Sequence, residues 1–268
     1  MKIRIFKYIS DFFHYKTHKR KHKIAGKNNI VEFICPNLNR YEAKRLVSFS
    51  INGNNNKIII KSNSLKPIRK YGININISGD NNFVEIEEPN FTNSSLILNG
   101  DFNTFSIKKT LKPVSGASFY IADGGCIEIG KECEIGNGSL KITINGDYKN
   151  KHKLYIGDGV HIATDAIIRT SDGETLVDFE TGLPISEPQD IFIDDDCWIT
   201  SRCTILKGTY LPKGTIVGAN SVVRNKFEKE NTLIAGCPAI LKKENVRWIA
   251  GAYCDNMKKL EESNKEAL

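Results

Sequence analysis

His161, Asp172 and Glu174 carry side chains able to move protons. A neutral imidazole with a pKa near 6.5 accepts a proton from a hydroxyl at neutral pH, and such catalysis contributes roughly 10²–10⁴ in rate. A carboxylate near 4.3 is a weak base for an alcohol unless burial raises it. Asp172 and Glu174 open an acid-rich stretch, Ser171 to Asp190, which also carries Asp178, Glu180, Glu187 and Asp190. Paired carboxylates can cleave glycosidic bonds, but no flanking sequence here supports such a dyad. The seven cysteines are an odd number and include no C-x-x-C pair, so reduced thiols are expected and no metal site. His14, His18, His22 and His152 read as surface residues.

These groups sit within a repeat. Ile193, Ile199, Ile205, Leu211, Val217 and Val223 recur every six residues. Four positions after the first five of them stand Cys197, Cys203, Thr209, Thr215 and Ser221, all small. Neither a helical period of 3.6 nor a strand period of 2 fits this pattern. A triangular solenoid does. One six-residue row forms each side, three rows make a coil of about 18 residues, and stacked coils share a core no single coil could bury. The aliphatic position points inward, and the small one fills a corner. Cys133, Cys197 and Cys203 all fall on that small position and read as buried fillers.

The phase extends backwards through Ile129, Ile135, Ile156 and Ile162. Residues 49–60, 75–86 and 96–107 each read as strand, Gly-plus-Asn turn, strand, with Gly53, Gly79 and Gly100 at turn positions of positive φ. Gly146 reads as a fourth copy. Between Ile168 and Ile193 the rows are interrupted, so residues near 171–190 form an excursion. A loop of that length is often functional. Removing it from the count stacks His161 directly below Trp198 on the outer surface.

Asp196-Cys-Trp198-Ile, Ile205-Leu-Lys-Gly208, Val217-Gly-Ala-Asn-Ser221-Val-Val and Ala235-Gly-Cys-Pro-Ala239 resemble the left-handed β-helix, hexapeptide-repeat acetyltransferases. The closest likeness is to the O-acetyltransferases of bacterial capsule and lipopolysaccharide. The specific resemblance covers about residues 154–250. It implies an all-β, left-handed parallel β-helix, a homotrimer, acetyl-CoA as acetyl donor in the groove between neighbouring solenoids, and a carbohydrate acceptor. In that family a histidine normally follows the strand and Ser/Asp stretch equivalent to Ile168-Arg-Thr-Ser-Asp172; here Glu174 stands in its place. Three readings follow. Glu174 is the base, with its pKa raised by burial; the acceptor is an amine; or His161 has taken over. Asp172 joins Glu174 and His161 as a catalytic candidate.

For the cofactor, the pantetheine amides need backbone donors and the phosphates need cations. Gly218 and Ala219 allow close backbone approach. Trp198 and Ser201 belong to the same candidate surface. Arg224, Lys226, Lys242 and Lys243 lie at the C-terminal edge, where the resemblance implies the nucleotide end.

The resemblance therefore implies transfer to a sugar hydroxyl of a surface polysaccharide. The alternatives are N-acetylation of a nucleotide-linked amino sugar and a non-catalytic solenoid scaffold. Residues 1–25 read as a basic amphipathic helix, on Ile5, Ile9, Phe12 and Phe13; residues 26–243 read as the solenoid; residues 244–268 read as a capping helix. Eight of the first 23 residues are Lys or Arg against one acid, Asp11, in a chain of 268 residues and net charge +7. That confinement suits peripheral contact with an anionic membrane face and disfavours nucleic-acid binding, for which no module is recognisable. No apolar run approaches the roughly 18 residues of a membrane span, and no secretory leader is read, so a cytoplasmic protein is expected.

Overall fold

The computed structural model describes the chain apart from residues 1–4, 10–11, 18–19, 38–46, 64–71, 137, 147–149, 253, 258–259 and 261–268. It is a three-sided, left-handed parallel β-helix. The first face stacks nine strands, from Ile5–Ile9 to Tyr210–Leu211, and the second stacks ten, from Phe12–Thr17 to Val222–Val223. The third begins with Phe91–Thr92 and Val114–Ser115 and continues from Glu134–Ile135 to Leu233–Gly236.

The six-residue rows fold as the pattern requires. Ile193 pairs with Leu211, Ile199 with Val217 and Ile205 with Val223, each 18 residues on. All six are fully buried. Each inward aliphatic stabilises the stack by about 1.5–3 kcal/mol relative to exposure. Cys133, Cys197 and Cys203 are buried at the small corner position. Burial pushes the Cys133 thiol up to about 11 and that of Cys197 to about 12, so neither is a thiolate at neutral pH.

The N-terminal coils are wider: Ile24 pairs with Ile51 and Ile51 with Ile77, 27 and 26 residues apart. Gly53 (φ 144°), Gly79 (135°) and Gly100 (81°) turn the corner between the second and first faces. A Cβ on Gly53 would lie 1.9 Å from the Gly79 carbonyl oxygen, so only glycine permits this stacking. Beside them runs a feature the sequence reading passed over. Asn29, Asn56, Asn82 and Asn103 are buried and hydrogen-bonded coil to coil. Asn56 Nδ2 donates to Asn29 Oδ1 and Asn82 Nδ2 to Asn56 Oδ1, both at 3.0 Å.

Both terminal helices need correction. Residues 1–25 contain strands, not an amphipathic helix: Ile5–Ile9, Phe12–Thr17 and Arg20–Ala25. Arg20–Ala25 pairs in parallel with Val47–Asn52, Phe12–Thr17 folds back on it, and Ile5–Ile9 runs antiparallel to Ile30–Ile34. The open end of a stacked sheet presents unpaired N–H and C=O groups, and a β-rich Phe/Tyr/Ile/Thr segment meets them better as strands than as helix. Lys2, Arg4, Asp11, His18 and Lys19 lie outside the described residues. At the other end, residues 244–250 are not helical, and helix is confined to 254–257 and 260 among the described residues. The third face is closed instead by the antiparallel strand Ala239–Lys243, which gives the edge-strand donors partners. His22 is not a surface residue: it is buried against Phe49, with ring centroids 4.4 Å apart. Among the described residues no helix is long and apolar enough to cross a membrane.

Candidate active site

On the third face Glu134 pairs with His161, and His161 with Trp198, in consecutive coils. All three point outward, because the residues that follow them, Ile135, Ile162 and Ile199, point in. The stacking of His161 under Trp198 is the register that removing the excursion demanded. Their ring centroids are 6.3 Å apart.

His161 Nε2 lies 3.9 Å from Glu134 Oε1, and Lys112 Nζ donates to the same oxygen at 2.6 Å. Burial pushes the imidazole below its ordinary value; Glu134 pulls it up, and Lys112 pushes it down again. The net direction keeps His161 neutral, the form that accepts a proton. The Trp198 indole N–H is buried and meets no acceptor among the described residues. An unmet buried donor costs about 1–3 kcal/mol unless a ligand or partner supplies the acceptor.

Trp248 completes the cluster, and sequence reasoning missed it. The tail after Lys243 runs back across the coils, held by Val246 N donating to Asn231 O at 2.9 Å and Trp248 Nε1 donating to Asp196 O at 2.6 Å. The Trp248 ring packs edge-on to His161 at 5.7 Å and against Trp198 at 5.9 Å. A capping helix over 244–268 hid this contact; the second tryptophan of the chain was the available signal.

The corner beyond His161 carries the small residues. The register sets Ala163, Thr200, Gly218 and Ala235 in one column, with Thr164, Ser201, Ala219 and Gly236 beside them. Thr164 Oγ1 donates to Ser201 Oγ at 3.3 Å. A Cβ on Gly218 would come within 2.8 Å of Ala235 Cβ, so the groove floor there is already at van der Waals limit.

Asp172 and Glu174 lie elsewhere. The excursion leaves after Ile167–Arg169 of the second face and returns at Ile191–Ile193 of the first. In a triangular section that corner is opposite the third face. Lys207 Nζ donates to Asp172 Oδ2 at 2.6 Å and also to Ser186 Oγ, which itself donates to Asp172. This cluster pins the base of the excursion. The Lys207 ammonium holds the Asp172 carboxyl below its usual range, which makes it a poor proton acceptor. Glu174 is exposed, so its own chain does not supply the burial expected of a carboxylate base. Further out, Leu176, Phe179 and Ile185 are exposed apolar side chains on a hairpin closed by Ile185 N donating to Leu176 O.

The four cations are not one cluster. Lys226 bridges to Tyr210 on the first face and Arg224 precedes it at the corner, whereas Lys242 and Lys243 lie on the closing strand of the third face.

The fold is a left-handed β-helix, and the chain is similar in sequence to polysaccharide O-acetyltransferases. No family model matches it. A protein of Escherichia coli K12 named as a lipopolysaccharide biosynthesis O-acetyl transferase, WbbJ, is 35% identical over 105 residues, 39% of this chain and 51% of WbbJ. The polysialic acid O-acetyltransferase of Neisseria meningitidis is 29% identical over 210 residues, 78% of this chain and 93% of that protein. Among solved structures, the polysialic acid O-acetyltransferase OatWY superposes with a TM-score of 0.64 at 26% identity, over 81% of this chain and 98% of that one. The chain spans about half of WbbJ and 38% of the polysialic acid O-acetyltransferase of Escherichia coli O1:K1.

Proposed function

We propose that the protein is an acetyl-CoA-dependent O-acetyltransferase acting on a sugar hydroxyl of a bacterial surface polysaccharide, working as a homotrimer. The observation that carries this reading is the third-face column, where a neutral imidazole lies directly under a buried indole N–H that meets no acceptor among the described residues. His161 takes the proton as the acceptor oxygen attacks the thioester carbonyl. The C–S bond breaks, and the proton passes on to the departing thiolate. The Trp198 N–H is placed to meet charge that develops as the thioester opens. Gly218, Ala219 and Ser201 line the corner groove for the pantetheine arm, and Lys242 and Lys243 stand at its upper end for the phosphates. The similarity to relatives named as polysaccharide O-acetyltransferases supports the acceptor class.

The opposed placement of excursion and column supports the oligomer. In this reading Glu174 of one copy lies over the His161–Trp198 column of the next, and Leu176, Phe179 and Ile185 are covered there. Glu174 then orients or charges the acceptor rather than replacing the imidazole.

The test follows thiol release from acetyl-CoA with the host's own polysaccharide and with amino-sugar nucleotides. Subunits carrying Glu174→Gln and subunits carrying His161→Ala are each assayed alone and after co-assembly. Activity that returns only in the mixture would place the two groups on different copies of one site. Mixtures as inactive as their parents would remove Glu174 from the neighbour's site. Transfer confined to amines would replace the hydroxyl acceptor with an amino sugar. No CoA binding at all would leave the scaffold reading.

A further inference from the structure

A second candidate site lies on the first face, away from the transfer column. A cavity of about 640 Å³ opens beside the return of the excursion, and Phe192 and Tyr210 form part of its wall. Tyr155, Phe192 and Tyr210 are paired outward residues of three successive coils, so their rings form a ladder along the face. The Tyr155 and Phe192 ring centroids are 6.5 Å apart. Phe192 and Tyr210 remain 37% and 36% exposed, which leaves apolar ring surface open to a ligand.

The rim is polar and built on backbone rungs. Gly208 N donates to Asp190 O at 3.1 Å and Phe192 N to Thr209 O at 3.0 Å. Gly208 has φ 77°, and a Cβ there would lie 2.3 Å from Gln189 Oε1, so the glycine lets Gln189 lie across the rim. Among the described residues the acid of the lining is Asp190, and it is already engaged. Asp190 Oδ1 accepts the Lys153 N–H at 2.9 Å and lies 3.4 Å from His152 Nδ1. The neighbouring Lys153 Nζ is paired with Glu128 at 2.7 Å. Lys151 and Lys226 also line the cavity, and neither forms an ion pair among the described residues. The cavity therefore combines flat aromatic surface, amide and phenol groups, and two lysines against one carboxylate among the described residues.

We propose that this cavity binds a sugar unit carrying an anionic group and so anchors the acceptor glycan outside the transfer site. The apolar face of a pyranose ring stacks on Phe192 or Tyr210, Gln189 meets its hydroxyls, and Lys151 and Lys226 meet the carboxylate or phosphate. The assignment rests on a glycan acceptor, but not on which residue serves as base. It separates Lys226 from the phosphate-binding role expected of it at sequence level.

The test measures binding by calorimetry to the full chain, with no acetyl donor present. The probes are a sialic acid tetramer, N-acetylglucosamine 1-phosphate and maltotetraose. The expected result is binding of the tetramer or the sugar phosphate, at least tenfold tighter than maltotetraose. Whichever anionic probe binds more tightly identifies the group as carboxylate or phosphate. Tyr210→Ala and the double variant Lys151→Ala/Lys226→Ala should each weaken that binding at least tenfold. In these variants thiol release with a monosaccharide acceptor should stay at the wild-type level, while KM for polymer rises. Equal binding of maltotetraose, or unchanged binding in both variants, would overturn the proposal. So would dissociation of the oligomer by Lys151→Ala/Lys226→Ala, which would assign this face to a second copy. Acidic-sugar binding by a chain that never releases thiol would sustain this site while removing the acetyltransferase reading. Thiol release without such binding would do the reverse.

Discussion

The same corner, between the second and first faces, is built in two ways along the solenoid. In the N-terminal coils it is sealed. Gly53 stacks on Gly79, and Asn29, Asn56 and Asn82 pass hydrogen bonds inward from coil to coil. Where Asn103 Oδ1 accepts from the backbone N–H groups of Gly124 and Gly125, the asparagine ladder ends. Further on, the same corner releases the excursion, carries the Asp172–Ser186–Lys207 cluster and opens the first-face cavity. The contrast separates two uses of one scaffold. Buried amides with every partner supplied make a rigid wall and leave nothing for a ligand. Among the described residues the unmet indole N–H of Trp198 belongs to the C-terminal coils, whose 18-residue turns bury the Thr209, Thr215 and Ser221 hydroxyls, each bonded to a backbone carbonyl, beside the aliphatic stack.

If that division is right, the two halves fail differently. His161→Ala should lower turnover by about 10²–10⁴ and leave the melting temperature nearly unchanged, because the side chain packs on the outer face. Steady-state thiol release beside a thermal melt reads both quantities. Asn56→Ala should do the opposite. It strands the partners on Asn29 and Asn82 and should cost on the order of 3 kcal/mol, with activity per folded molecule intact. Gly53→Ala should destabilise more, since its Cβ has no space against the Gly79 carbonyl. A catalytic loss from Asn56→Ala at wild-type stability would break the comparison.

How far the sequence foretold this division depends on the period of each part. The six-residue rows are unambiguous, because an inward aliphatic at fixed phase has one geometric meaning. They supplied the solenoid, the buried cysteines and the His161–Trp198 register. Asn56 and Asn82 were legible only as turn residues, since asparagine tolerates positive φ and its neighbours Asn55 (φ 56°) and Asn81 (φ 58°) do adopt it. That the next residue turns inward is a matter of coil stacking, which no local signal reports. At the N-terminus the spacing of Ile5, Ile9, Phe12 and Phe13 suits a helix, and the demand of an open sheet edge overrides it. Trp248 reaches its place through a contact 52 residues distant in sequence, so no spacing rule could have found it.

The excursion gives a smaller effect. Asp172 and Lys207 are partly exposed, so their pair contributes at most about 1 kcal/mol. Asp172→Asn should leave the melt unchanged and lower kcat/KM several-fold by loosening the excursion. The folded-state pKa of Asp172 is depressed, so its contribution is full above the ordinary value of 3.8 and is lost as pH falls through the folded one. No change in kcat/KM would mean that the excursion needs no anchoring at its base.

The smallest expected effect is also the most specific. Burial lowers the pKa of His161, so the acid limb of kcat/KM should lie below pH 6.5. Rate is lost as pH falls through that value, because the protonated ring accepts nothing. Glu134 opposes the shift and Lys112 reinforces it. Glu134→Gln should therefore move the limb to lower pH, while Lys112→Ala should move it up, each by a fraction of a unit. Glu87 offers the matching control in the sealed half, where it pairs with Lys61 and Lys108 on the first face. Glu87→Gln alters a charge ladder of similar make-up but lies far from the imidazole, and should leave the limb where it is. Opposite shifts from the two neighbours of His161 and none from Glu87 would identify the limb as the titration of that one ring. A limb that all three variants move alike would report net charge instead, and would remove His161 from the proton transfer.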